Sequence, residues 1–108
     1  MPAVAEPPVK AAVLEPKVDT RDETRLAPQW KVILLDDDVT TIDFVVELIV
    51  SLFRKPRDEA VKLTNEVHET GSAIITITSL ERAELYVEQV RSLARPRGFP
   101  LTATLEPA

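Results

Sequence analysis

The sequence predicts a small α+β domain with the element order β-α-α-β-α-β. Three observations carry that reading. Runs at 30–35, 72–78 and 101–105 have the length, β-branched content or two-residue alternation of strands. Segments at about 41–53, 57–69 and 80–94 repeat apolar residues at helical spacing. Composition also changes abruptly near residue 29, so every element falls within about the last 80 of the 108 residues.

Residues 1–28 hold five of the nine prolines and no aromatic residue, and their charges nearly cancel. Such a segment cannot bury enough apolar surface to offset the entropy of ordering it. It reads as a flexible N-terminal arm before a domain at 29–108, although a solvated tail with no task has the same composition.

The domain opens with WKVILL, apolar on nearly both faces, followed by the polar turn DDDVTT. Thr40 and Asp43 have the spacing of a capping box. In the next helix nine of the twelve residues from Ile42 to Phe53 are apolar. Its polar residues Asp43, Glu47 and Ser51 form one narrow stripe, so it should be buried on most sides. A second helix starts after Pro56 and stops at Gly71, with Ala60, Leu63, Thr64, Val67 and His68 facing inward. SAIITIT should place Ala73, Ile75 and Ile77 on one face of a half-buried strand and Ile74, Thr76 and Thr78 on the other. Thr78 or Ser79 caps the third helix, whose seam is Leu80, Ala83, Val87, Val90 and Ala94. Arg95-Pro96-Arg97-Gly98 ends it, and LTATL alternates as the last strand.

Composition excludes several functions. The length allows one domain and no second one. With no cysteine there is no disulfide, thiolate zinc site or cysteine nucleophile, and a single histidine, His68, rules out sites needing two imidazoles. A net charge of −5 argues against a nucleic-acid partner. No run approaches the ~20 apolar residues of a membrane span, and the first residues lack a signal pattern. A soluble, cytoplasmic protein is expected.

Two features attract chemistry: the run Asp36-Asp37-Asp38 after the first strand, and His68 near the end of the second helix. Thr64 and His68 lie one turn apart on one helix edge, with Val67 beside them. If that helix packs by the first strand's exit, an apolar cleft results with carboxylates and an imidazole at its mouth. Those groups accept hydrogen bonds, so their complement is a cationic donor such as an α-amino group. The adjoining cleft would take the first side chain, whose burial contributes about 1.5–3 kcal/mol. Plainer readings exist for each residue. A triple Asp also makes a solvated helix lead-in, a lone His an edge bystander, and a buried Thr64 ordinary packing. Glu81, Glu84 and Glu88 also form an ordinary wet face.

Catalytic readings fit less well. Asp36-Asp37-Asp38-Val39-Thr40 matches the D-x-D-x-T of haloacid-dehalogenase-like phosphatases, and hydrophobic-Asp-Asp also opens a response-regulator receiver. Both need later partners, yet no Lys follows Lys62 and the only acids after residue 69 are Glu81, Glu84, Glu88 and Glu106. Successive Asp residues on extended chain point to opposite sides, so three do not readily face one ion. No catalytic residue, metal or cofactor is expected.

The stretches WKVILLDDDVTTIDFVVELIVSLF, EVHETG, SLERAE and FPLTATLE resemble, in order and spacing, the ClpS family, adaptors of the Clp AAA+ protease. The resemblance covers about residues 30–106. It implies a three-stranded antiparallel sheet packed against three helices, and an adaptor rather than an enzyme. It further implies that proteins with a large hydrophobic N-terminal residue (an N-degron) are bound and passed to the N-terminal domain of the ClpA or ClpC ATPase, with the arm needed for handover. By position, Asp36, Asp37 and His68 would hold the substrate amine. Thr40, Ile42, Thr64, Val67 and Leu101 would line the hydrophobic pocket, and Glu81 and Glu84 would contact the ATPase. A monomer acting without nucleic acid or membrane is implied.

Four departures accompany the match. Asp36 replaces the family's Asn, adding a charge and removing an amide donor. Thr41-Ile42 stands for Pro-Met, Thr64 for a pocket-floor Met, and Tyr86 for a Lys. A second reading keeps the fold but uses a helix surface to dock a helical partner, as the ribosomal stalk domain does.

Overall fold

The computed structural model describes residues 27–108. The arm expected over 1–28 lies outside the described residues except for its last two. Strand β1 (Gln29–Leu35) is followed by helices α1 (Ile42–Leu52) and α2 (Arg57–Thr70), strand β2 (Ser72–Ser79), helix α3 (Leu80–Ala94), a 3-10 turn (Arg95–Arg97) and strand β3 (Thr102–Pro107). The sheet order is β2-β1-β3 with both pairings antiparallel. The expected element order and α+β class are therefore the observed ones.

WKVILL is apolar on both faces because β1 is the central strand, and Val32, Ile33 and Leu34 are all buried. α2 packs along β2, and α3 lies against β3 and β1. α1 contributes Val45, Val46, Leu48 and Ile49 to the core. Its stripe of Asp43, Glu47 and Ser51 stays in solvent, as the spacing required. Phe53 stacks on Tyr86 with centroids 4.5 Å apart, joining α1 to α3.

Three local expectations need correction. The α1 cap is Thr41, whose hydroxyl accepts from the Phe44 N–H at 3.2 Å. Thr40 does not cap, because its hydroxyl is committed to Asp37. Ile77 does not share the inner face of Ala73 and Ile75; it is 51% exposed. Val32 pairs with Thr76 and Ile33 with Ile74, so Ile75 is an extra residue, and such a bulge turns the following side chains over. On α3, Leu80 is exposed while Tyr86 is half buried. Leu80 follows the last β1–β2 pair, Gln29–Ser79, and has no strand beneath it. Ser79 caps α3, accepting from the Arg82 N–H.

Candidate functional site

One backbone hydrogen bond sets the site's geometry. The Asp36 N–H, just past the end of β1, donates to the Gly71 carbonyl at 2.9 Å. Gly71 is the C-cap of α2, with φ 97°, and its own N–H donates to the Val67 carbonyl. The left-handed turn that glycine permits thus ties the acidic run to the last turn of α2, where His68 sits.

Asp37 then folds the acidic run on itself. Its Oδ1 accepts from the Val39 N–H at 2.8 Å and the Thr40 N–H at 2.7 Å. Its Oδ2 accepts from the Thr40 hydroxyl at 2.7 Å. Burial pushes the carboxyl pKa up, and is the largest single influence. The hydrogen bonds from Thr40 and Val39, with the nearby Arg95 guanidinium, together outweigh it and hold the group below its ordinary value. Asp37 is therefore an anion at neutral pH. Three of the roughly four lone-pair directions of a carboxylate are used by its own loop, leaving one for a ligand.

The acidic turn and α2 enclose a cavity of ≈ 190 Å³. Its inner lining is buried: Val45 from α1, Thr64 and Val67 from α2, and Leu101 from the approach to β3. The Thr64 hydroxyl donates to the Ala60 carbonyl at 2.7 Å, so its polarity is satisfied within the helix. Asp36, Asp38, Ile42 and His68 line the same cavity but are exposed, while Asp37 and Thr40 are half buried. The cleft therefore has an aliphatic interior and a rim of carboxylates and one imidazole.

All the residues expected to hold an amine or line a pocket thus border one cavity. His68 was expected to face inward; it stands exposed on the rim. Two lining residues were not anticipated as such. Val45 lies three residues after Ile42, a spacing that puts both on one helix face, so the signal was present. Asp38 belongs to the acidic run that marked the mouth, but nothing in the sequence assigned it a role of its own beside Asp36 and Asp37. Glu81 and Glu84 lie elsewhere, exposed on α3. Glu81 borders a shallow surface depression with Ser79, Arg82 and Leu85, the last 53% exposed. Among the described residues, no three His, Asp or Glu side chains converge to hold a metal ion. Nor is any helix among them long and apolar enough to cross a membrane.

A one-domain fold with a small aliphatic cleft rimmed by hydrogen-bond acceptors defines a binding module. Comparison with known proteins makes the class specific. Residues 25–104 match the family model described as ATP-dependent Clp protease adaptor protein ClpS. The ClpS adapter of Nautilia profundicola is 42% identical over 77 residues, covering 71% of this chain and 79% of that protein. That of Bdellovibrio bacteriovorus is 40% identical over 103 residues, covering 94% and 85%. Among solved structures, Agrobacterium tumefaciens ClpS2 bound to L-phenylalaninamide matches with a TM-score of 0.73 and 32% identity, covering 75% of this chain and 98% of that one. The chain belongs to the ClpS family, and is an adaptor of the Clp protease rather than an enzyme.

Proposed function

We propose that this adaptor captures proteins by a free N-terminus bearing a large hydrophobic residue, and delivers them to a ClpA or ClpC unfoldase. The observation that carries the reading is the cavity itself, which sets an aliphatic interior directly behind an anionic rim. An N-terminal residue offers the complement, an ammonium separated by one carbon from an apolar side chain. Asp36, Asp37 and His68 accept from the ammonium, with Asp37 held anionic by its loop. Thr40, Ile42, Thr64, Val67 and Leu101 receive the side chain. L-phenylalaninamide, the ligand of the Agrobacterium relative, has this combination of free amine and apolar side chain.

The three pocket departures modify the reading without reversing it. Asp36 adds an exposed charge to the rim, so capture is sensitive to salt. Ile42, 48% exposed at the lip, replaces a flexible side chain with a β-branched one, while Thr64 shortens the interior wall.

The unfoldase contact falls to Glu81 and Glu84 on α3. Strand register supports that division of labour. Leu35 pairs with Ser72 at the acidic end and Gln29 with Ser79 at the other. Six residue steps put the two places roughly 20 Å apart, so one end holds substrate while the other meets the ATPase. Residues 29–108 act as the adaptor domain and 1–28 as the extension engaged at handover. The adaptor works in the cytoplasm as a monomer, without cofactor or metal.

Asp37→Ala combined with His68→Ala tests this directly. Binding of a Phe-initiated peptide is expected to vanish while binding to the unfoldase N-terminal domain persists. Peptide binding that survives both changes would instead favour a helix-docking module.

A further inference from the structure

Leu101 supplies one wall of the cavity, yet it lies in irregular chain between the 3-10 turn and β3. β3 begins only at Thr102, which pairs with Leu35. Gly98, at φ 80°, closes the turn before it. Between them Pro100 has no N–H to donate. Phe99 is anchored by its ring, packed edge-on to Phe44 at 4.9 Å with the Arg97 guanidinium 5.7 Å from its centroid. The Leu101 side chain is packed into the core, 1% exposed, and its carbonyl is held from outside the loop.

Arg95 supplies that hold. From the C-cap of α3, its Nη1 donates to the Phe99 carbonyl at 3.0 Å and to the Leu101 carbonyl at 2.8 Å. The two carbonyls flank Pro100, so one guanidinium nitrogen fixes the bend that turns Leu101 into the cavity. The same guanidinium lies close enough to Asp37 to favour its charged form. Asp36, Asp38 and His68 share that mouth.

We propose that Arg95 is a positioning residue of the site: by gripping the carbonyls on either side of Pro100 it sets the Leu101 wall, and with it the preference for a bulky first side chain. This role rests on the capture of N-termini proposed above. It separates two parts of recognition that a general loss of fold would remove together. The amine contribution belongs to the acidic rim, and the side-chain contribution to the wall that Arg95 holds. Lysine keeps the charge near Asp37 but is a compact point donor on a shorter reach, without the guanidinium's fixed fork.

The test uses the full chain, its Arg95→Met and Arg95→Lys variants, and three peptides identical beyond their first residue: Phe, Ala, and N-acetylated Phe. Wild type is expected to prefer Phe over Ala and free over acetylated Phe. In both variants the Phe-over-Ala ratio is expected to fall about tenfold, while the ratio of free to acetylated Phe changes less than about twofold. An unchanged Phe-over-Ala ratio overturns the proposal, as does a parallel collapse of both ratios. Amide NMR spectra of the unliganded proteins supply a second readout. Arg95→Met is expected to move the resonances of Phe99, Leu101 and Thr102 more than those of β2. If those resonances stay in place, Arg95 positions nothing. A wild type that ignores the N-terminal amine would refute N-terminus capture, whereas the NMR comparison still judges the hold on Leu101.

Discussion

At one end of the β1–β2 pair, Asp37 gathers three hydrogen bonds from its own loop, and the Asp36–Gly71 bond locks that loop to α2. At the other end, Glu81 and Leu85 stand exposed beside the Ser79 cap, over a shallow depression. The first region is concave and pre-shaped, so a small ligand need not order it on binding. The second is open, with charged and apolar groups side by side, which suits a broad protein surface. The contrast is the one that the two proposed tasks, recognising a chain end and docking a large partner, would require.

The first expected effect comes from loosening the tie that shapes the concave end. Gly71→Ala meets no atom within 4 Å of the added Cβ, so its cost is conformational alone. At φ 97° that cost is about 1 kcal/mol after the entropy the alanine removes from the unfolded chain. Urea denaturation checks the loss, and peptide affinity should fall with it as His68 shifts from the acidic turn. An unaltered affinity would detach the Gly71 turn from the site.

Acid sharpens the comparison next. Asp37's carboxyl is lower in the folded chain than its ordinary value. Its contribution to stability is therefore complete above the unfolded carboxylate range and is lost as pH falls through that range toward the native value. Asp37→Asn should flatten this acid limb in denaturation curves taken between about pH 7 and pH 3. Removing the imidazole acceptor with His68→Ala should weaken peptide binding by roughly 1 kcal/mol, or about fivefold in affinity. Unchanged affinity in that variant would remove His68 from the amine site.

The smallest effect is expected where the two ends are independent. Glu81→Ala with Leu85→Ala should leave peptide affinity within about twofold while weakening the unfoldase complex in the same titration format. A matching drop in peptide affinity would mean the ends are coupled.

Much of this was legible in the sequence because it is periodic or chemically singular. The α1 stripe of Asp43, Glu47 and Ser51 announced a helix buried on its other sides. The pairing of an acidic run with a lone His68 marked the rim. What escaped depends on long-range register or on competition between neighbours. The Ile75 bulge that turns Ile77 outward exists only in the pairing with β1. Thr40 and Thr41 are equivalent as cap candidates until Asp37 claims the first. Arg95 at the end of α3 looked like helix punctuation, since only the folded loop brings the carbonyls of Phe99 and Leu101 to it.

The most direct test of N-terminus capture is a fluorescence-anisotropy titration of one Phe-initiated peptide with its N-terminus free or acetylated. Acetylation deletes the charge and leaves the side chain, so the free peptide should bind at least about thirtyfold more tightly, consistent with loss of charge-assisted hydrogen bonds. Equal affinity for the two would contradict the account.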